Sequence, residues 1–308
     1  MIYTITLNPA LDRALEVDGL LHDETTRIQS ETVYAAGKGI DVSRVISELE
    51  GRSVALGLLG GYAGLQLEGL LVNAGVLTDF TRIAGETRTN IILKERTPGR
   101  QYVIGAAGPE VKAAEIGQFN ELVRDLKDVN YLVISGSLPR GVRPEFYGQL
   151  VLAGRKHGAF VALDADGTAL TEGVECGPNL IKPNIHELGR LVGGTPTTDE
   201  EILAACDQLH ARNIPLVMVS RGPKGLLLSG EGRRIKAVGP VIKADSVVGA
   251  GDSTVAGFIL GHCRGQALED CLRLACAAGT ATAGTPGTEL CHRPEVERLL
   301  PLIEVTAL

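Results

Sequence analysis

The sequence predicts an α/β chain: a three-layer α/β/α domain on a mainly parallel sheet, with a small β-sheet lid. Three observations predict it. Short β-rich runs alternate with helical patterns along most of the 308 residues, the rhythm of parallel strands joined by right-handed crossovers. Several runs are almost wholly apolar, as strands covered on both faces are. Two segments, 13–34 and 86–104, break that rhythm.

YTITL (3–7) reads as the first strand, and the polar, mixed residues 13–34 separate it from a helix near 39–50. SVALGLL (53–59) is the next strand, followed by a helix near 64–74. ETRTNIILKERTPGRQYVI (86–104) reads as two short strands joined by a turn at Pro98 and Gly99. With 13–34 it supplies the lid, discontinuous in sequence and projecting over the parallel strands. Further strands are expected at YLVISG (131–136), AFVALDA (159–165), NLIKPN (179–184), PLVMVS (215–220) and LLLS (226–229). Helices near 111–127, 144–157, 185–192 and 198–212 alternate with them, and helices near 252–264, 267–284 and 293–303 close the chain. No internal repeat or linker divides it, so residues 1–308 are expected to form a single domain.

Composition narrows the function. Net charge is −7 and the basic residues form no stripe, so no nucleic-acid partner is expected. MIYTITLNPALD has no basic start followed by an apolar run, and no segment reaches membrane-spanning length; a cytoplasmic protein without a membrane partner is the expectation. The six cysteines include no C-x-x-C pair, which argues against structural zinc or a disulfide framework and for small buried thiols.

The stretch SVVGAGDSTVAGFILGH (246–262) is the most unusual. Val247 and Val248 read as the end of an extended segment, and Val255, Phe258 and Ile259 share a helical face. The amides of Gly249, Ala250 and Gly251 at such a junction would cradle an anion, helped by the helix dipole. Asp252 beside them is either a helix cap or a base that takes a proton from a hydroxyl attacking phosphorus. The P-loop and the G-x-G-x-x-G fingerprint are absent, Thr254 standing where the third glycine should be. Four more clusters are expected at strand ends, where open α/β sheets bind ligands. They are TLNPALD with Asp12, AAGKGIDVSR with Gly37, Lys38 and Gly39, SGSLPRG with Ser137, and KPNIHEL with Lys182, Asn184 and Glu187. SRGPKG adds Ser220, Gly222 and Gly225. Each alone reads as a turn, a cap or a solvated residue; together they point to one ligand-binding edge.

With TLNPALD, AAGKG, SGSLP, KPNxxEL and GAGDS in order from residue 1 to about 300, the chain resembles the phosphofructokinase-B family of the ribokinase-like superfamily, in its hexose-phosphate kinase branch. The resemblance implies ATP as co-substrate, Mg2+, and a phosphorylated ketohexose as acceptor. It implies Asp252 as general base, and charge stabilisation by the amides of Gly249, Ala250 and Gly251. Asp12, Gly37, Lys38, Gly39, Asp41, Arg88, Asn90 and Ser137 would bind the sugar phosphate, with Arg27 a weaker candidate. Lys182, Asn184, Ser220, Gly222, Gly225, Ser246, Gly249 and Gly251 would bind ATP, residues around 278–283 would flank adenine, and Asn184 and Glu187 would hold Mg2+ through water. Asp41 departs from the family's usual Asn, so a cation such as Lys38 must compensate or the substrate contacts differ. AAGKG and GPEV (108–111) resemble the 1-phosphofructokinase branch; QYV (101–103) and GTELC (287–291) resemble the 6-phosphofructokinase branch. A 6-phosphofructokinase or tagatose-6-phosphate kinase is the alternative, and a non-catalytic sugar-phosphate or nucleotide sensor is the alternative of another class. A homodimer paired through the lid strands is expected.

Overall fold

A computed structural model describes all residues, 1–308. The first strand, β1 (Ile2–Thr6), leads at once into the lid through β2 (Ala10–Val17) and β3 (Ser30–Ala36). Helix α1 (Lys38–Glu48), β4 (Ser53–Leu59), α2 (Gly61–Asn73) and β5 (Leu77–Arg82) return the chain to the main layer. Strands β6 (Arg88–Glu95) and β7 (Gln101–Ile104) complete the lid. Then come α3 (Ala113–Asp125), β8 (Tyr131–Ser135), α4 (Glu145–Lys156), β9 (Phe160–Asp164), α5 (Gly167–Glu175), β10 (Leu180–Ile181), α6 (Ile185–Val192), α7 (Asp199–His210) and β11 (Leu216–Ser220). Strands β12 (Leu226–Gly230) and β13 (Arg233–Val238) precede α8 (Ala250–Cys263), α9 (Leu268–Ala283), α10 (Arg293–Leu299) and β14 (Glu304–Ala307).

The large sheet has ten strands in the order β14-β13-β12-β11-β10-β9-β8-β1-β4-β5. From β11 to β5 all neighbours are parallel; β12, β13 and β14 add an antiparallel edge. Alternation along the buried strands creates the layers. Leu132 and Ile134, Val161 and Leu163, and Val217 and Val219 enter one core, with Phe119, Tyr147 and Leu188 from the helices on that side. Val133, Ala162, Leu216 and Met218 enter the other, with Val45, Phe258 and Leu272. Near-continuous apolar strands are therefore what two covered faces require, and the three-layer α/β expectation with a small second sheet holds.

The lid sheet runs β3-β2-β6-β7, with β2 and β6 parallel and the outer pairs antiparallel. Its first strand begins at Ala10, earlier than the expected 13. Pro9 in TLNPALD has the character of a turn residue, but a proline immediately before a strand gives up no ladder hydrogen bond. A third core of Leu11, Ala35, Ile40, Leu67, Leu71 and Phe80 roots the lid on α2.

Other differences have local causes. The expected strand 179–184 shortens to Leu180–Ile181, because Asn184 already caps the next helix. The helix expected to reach 303 stops at Leu299, and one 3-10 turn containing Pro301 follows. Strands β5, β13 and β14 and the glycine-containing α5 were not anticipated. Val247 and Val248 end no strand: β13 stops at Val238, and Val247 is exposed. Four thiols are buried, but Cys263 is exposed and Cys176 is half-buried. No helix is long and apolar enough to cross a membrane.

Candidate active site

The GAGD junction starts α8, whose buried body fixes its direction. Ten residues from Asp252 to Gly261 are buried between the sheet, α1 and α9. Gly257 permits the contact with α9: a Cβ there would lie 2.8 Å from Leu274 O. The cap is Gly249, not Asp252, with φ 78° in the left-handed region that favours glycine. Asp252 sits in the first turn, buried, and its carboxylate takes no hydrogen bond from the protein. The capping alternative is thereby removed. Gly249 and Gly251 amides have no main-chain acceptor, and that of Ala250 has only a long 3.4 Å contact with Val247 O. Burial pushes the Asp252 carboxyl up to about 7; the charge of Asp164 adds to this, and Lys38 and Lys182 oppose it.

A second helix start faces the same region. Gly37 caps α1 with φ 127°. Gly39 serves packing through its missing side chain, since a Cβ would stand 2.7 Å from Ile5 O. Gly136, after β8, lies against Lys38, where a Cβ would be 3.7 Å from the lysine Cβ. Ser137 follows, and its Oγ accepts from Asn8 Nδ2 at 3.3 Å. A cleft of about 480 Å³ opens beside Lys38, Ser137 and Arg140. A larger hollow, at Asp207, His210 and Arg234, brings together none of the expected site residues.

The lid carries the remaining sugar-side candidates. Asp12 is on β2 rather than in a turn, opposite Asn90 on β6. Asn90 Nδ2 donates to Asp12 Oδ1 at 2.8 Å, and Asn90 Oδ1 accepts from Ala106 N. Burial raises the Asp12 carboxyl; the Asn90 hydrogen bond, Arg88 and Arg44 counter it. Arg88 donates from Nε and Nη2 to Asn8 O, and from Nη1 to Ala106 O. Asp41 is buried in the first turn of α1, and the compensating cation is Arg44, not Lys38. Arg44 Nη1 lies 3.1 Å from Asp41 Oδ1 and also donates to Ala35 O. Burial raises Asp41 well above the usual carboxylate range, Arg44 opposes, and Asp252 and Asp12 add to the rise. Arg27 stays exposed in the connection between β2 and β3.

The nucleotide-side candidates divide more sharply. Lys182 is buried, and a Cβ on Gly251 would come within 3.3 Å of its Nζ, so the ammonium stands at the cradle. Asn184 and Glu187 form a capping box for α6: Asn184 Oδ1 accepts from Glu187 N, and Glu187 Oε2 accepts from Asn184 N. This leaves Glu187 Oε1 and Asn184 Nδ2 without those duties. Ser220 bridges to Asn184 across the end of the sheet. Gly222 has open space around it, whereas Gly225 is needed for fold: a Cβ would sit 2.0 Å from Ala237 O. Ser246 Oγ accepts from Val248 N. Within 278–283, Ala278, Ala281 and Thr282 are buried in the core; only Gly279, Thr280 and Ala283 remain half-exposed for a base.

Three residues escaped sequence reasoning. Asp164 ends β9, almost fully buried, with Lys38 Nζ 3.0 Å from one oxygen and Lys182 Nζ 3.3 Å from the other. A lone carboxylate closing an apolar strand, in AFVALDA, was the available signal. Asn8 links Ser137 to the main-chain carbonyl of Ala107 and carries the carbonyl that Arg88 holds. Arg44 stands three residues after Asp41 on α1, and that helical spacing was the available signal; its second acceptor, Ala35 O, lies in the lid.

Cations, free amides and a raised carboxyl thus surround one space at the ends of β1, β8, β9 and β10. Comparison with known proteins agrees with that chemistry. Residues 5–295 match the pfkB family carbohydrate kinases. A 1-phosphofructokinase of Bacillus subtilis is 35% identical over 308 residues, covering 100% of both chains. A tagatose-6-phosphate kinase of Staphylococcus epidermidis is 33% identical over 309 residues, 99% of each chain. The crystal structure of phosphofructokinase-2 from Escherichia coli in complex with substrates and products superposes with a TM-score of 0.92 at 33% identity, covering 97% of this chain and 98% of that one. A match over nearly the whole length, with the motif residues gathered at one edge of the sheet, means that this chain belongs to the pfkB family of carbohydrate kinases.

Proposed function

We propose that this sugar kinase transfers the γ-phosphoryl group of Mg·ATP to O6 of fructose 1-phosphate, giving fructose 1,6-bisphosphate and ADP. The observation that carries the reading is Asp252: a buried carboxylate with no protein partner, beside free amides and two ammonium groups, and with its proton affinity brought to about 7. A base poised there takes a hydroxyl proton near neutral pH. The amides of Gly249, Ala250 and Gly251, with Lys182, stabilise the charge on the group in transit. Asp12 and Asn90 orient sugar hydroxyls. Lys38, Arg88, Ser137 and the free start of α1 take the phosphate already on the sugar. Ser220, Gly222 and Ser246 line the nucleotide side.

No cluster of three His, Cys, Asp or Glu residues could hold a metal by itself. The free carboxylate oxygen of the buried Glu187 and the Asn184 amide suit a Mg2+ that arrives on the triphosphate and keeps its waters. Bound there, it would neutralise phosphate charge.

The Bacillus relative's name supports fructose 1-phosphate, as do AAGKG and GPEV; the names of the Staphylococcus relative and of an Escherichia coli ATP-dependent 6-phosphofructokinase isozyme 2 keep tagatose 6-phosphate and fructose 6-phosphate as the second reading. Specificity constants for the three sugar phosphates decide it: fructose 1-phosphate is expected to exceed each of the others at least tenfold. A reversed order transfers the assignment to the second reading, and binding without turnover leaves a sensor. Strand β7 is exposed along its length, with Val103 and Ile104 about 60% accessible at the lid edge, a surface suited to a second copy. Sedimentation of the same preparation is expected to give twice the chain mass.

Asp41 tunes sugar affinity in this reading. Asp41→Asn keeps an acceptor for Arg44 and removes the negative charge that the group carries when ionised, a charge that repels the sugar phosphate. KM for the sugar phosphate is expected to fall about threefold with little change in kcat. A rise in KM would assign Asp41 a direct acceptor role that Asn cannot fill.

A further inference from the structure

We propose that Asp164 is a positioning residue that clamps the two lysines of the transfer site into one unit and sets the proton affinity of Asp252 through them. The proposal rests on the kinase reading above and goes beyond it, because neither the motifs nor the family's name assigns this carboxylate a role. The geometry is specific. Lys38 comes from the start of α1, on the sugar side, and Lys182 from the turn after β10, on the nucleotide side. Both ammonium groups converge on the two oxygens of one carboxylate, whose side chain is 1% exposed. Asp164 Oδ2 has no hydrogen-bond donor beyond the lysine contact, and its backbone carbonyl accepts from Gly136 N, next to Ser137. Asp164 thus ties together the three segments that enclose the reacting groups.

The charges are coupled accordingly. Burial alone would raise Asp164, but Lys182 and Lys38 hold it below its ordinary value. Lys38 is raised chiefly by Asp164. The charged and titratable groups facing Asp252 are Asp164 from β9, Lys38 and the raised carboxyl of Asp41 from α1, and Lys182 after β10; Glu187 of α6 faces Lys38. With both lysines turned toward Asp164, Asp252 is left as the proton acceptor rather than as a third member of a salt bridge. Without Asp164, the lysines would swing to Asp252 and hold it ionised but weakly basic.

The test starts from wild-type enzyme whose turnover of a ketohexose phosphate has been measured, so failure of the kinase reading is seen first. Asp164→Asn preserves shape and removes the charge. Its kcat is expected to fall about 30-fold, and the acid limb of the kcat/KM profile to move down by about one pH unit, because the released lysines turn to Asp252 as a neighbouring anion is lost. Since the substitution leaves a buried ammonium group, Lys182, facing the half-buried Lys38 without a counter-charge, Asp164→Asn/Lys38→Met, balanced in charge, is measured beside it. Thermal unfolding shows which variants are folded. If Asp164 acts through the lysines, Asp164→Asn costs much less in the Lys38→Met background than in wild type. Three results overturn the proposal. One is an acid limb that stays in place while the Mg2+ concentration for half-maximal rate rises tenfold, which makes Asp164 a metal-site residue. The second is full additivity with Lys38→Met. The third is a loss of stability with kcat and pH profile unchanged.

Discussion

Asp252→Asn is expected to lower kcat about 1,000-fold while the protein folds and binds both substrates. The size follows from what the residue lacks as much as from what it has. Asp252 caps nothing and accepts no hydrogen bond, so an isosteric amide leaves the start of α8 intact. The amide cannot take a proton, and the amide cradle and the lysines remain to give the residual rate. Stability gives an independent sign. A carboxyl raised to about 7 in the folded state, from 3.8 in the open chain, binds its proton more tightly when folded. Its contribution is therefore present at low pH and lost as pH rises from about 4 to about 7. At pH 8 the ionised group costs stability, and Asp252→Asn is expected to unfold at the same or a higher temperature. A variant retaining more than about a tenth of the wild-type kcat would exclude Asp252 as the base. A variant that unfolds at a lower temperature would restore a structural role.

Arg88→Ala is expected to raise KM for the sugar phosphate about 100-fold with a much smaller change in kcat. Three of the five guanidinium N–H groups are committed to Asn8 O and Ala106 O, so two remain for a phosphate. Those protein contacts aim the remaining donors and hold the 106–108 segment beside Ser137. Arg88→Lys keeps the charge but cannot hold two carbonyls and a phosphate in one plane, so its KM should fall between the two. The kinetic split is the decisive reading: a binding group outside the reacting bonds moves KM, whereas a distorted site moves kcat as well. If Arg88→Ala leaves KM unchanged, Arg88 does not touch the sugar's phosphate, and Lys38, Ser137 and the start of α1 are its anchors.

How much of the molecule was readable depended on where each signal lay. Strands such as 53–59 and 215–220 were legible because burial on both faces leaves continuous apolar runs. The lid was recognised as a departure from the rhythm, but its first strand was not, because Pro9 and Asp12 have the composition of a turn. Lone motifs carried ambiguous readings that only contacts resolved. Asp252 was cap or base, and the open carboxylate decides for the reading in which the side chain is free. Glu187 reads in sequence as a solvated helix residue or, with Asn184, as a metal holder; the two form a capping box and still leave one oxygen and one amide. Gly39 and Gly225 are required by close backbone approach, a property no single residue displays in sequence. Ala278 and Ala281 had the size to flank a base, yet they face the core because α9 packs that side against α8.

The sequence by itself determined the layered α/β architecture, the order of the strand-end motifs and the kinase family, since apolar periodicity and contiguous motifs are local along the chain. Tertiary structure alone decided which charges meet across the sheet. Asp164 joins Lys38 and Lys182 across 126 and 18 positions of sequence. The physical reason is that electrostatic coupling acts through distance in space and through burial, and both are set only when separate strands end at the same edge of one sheet.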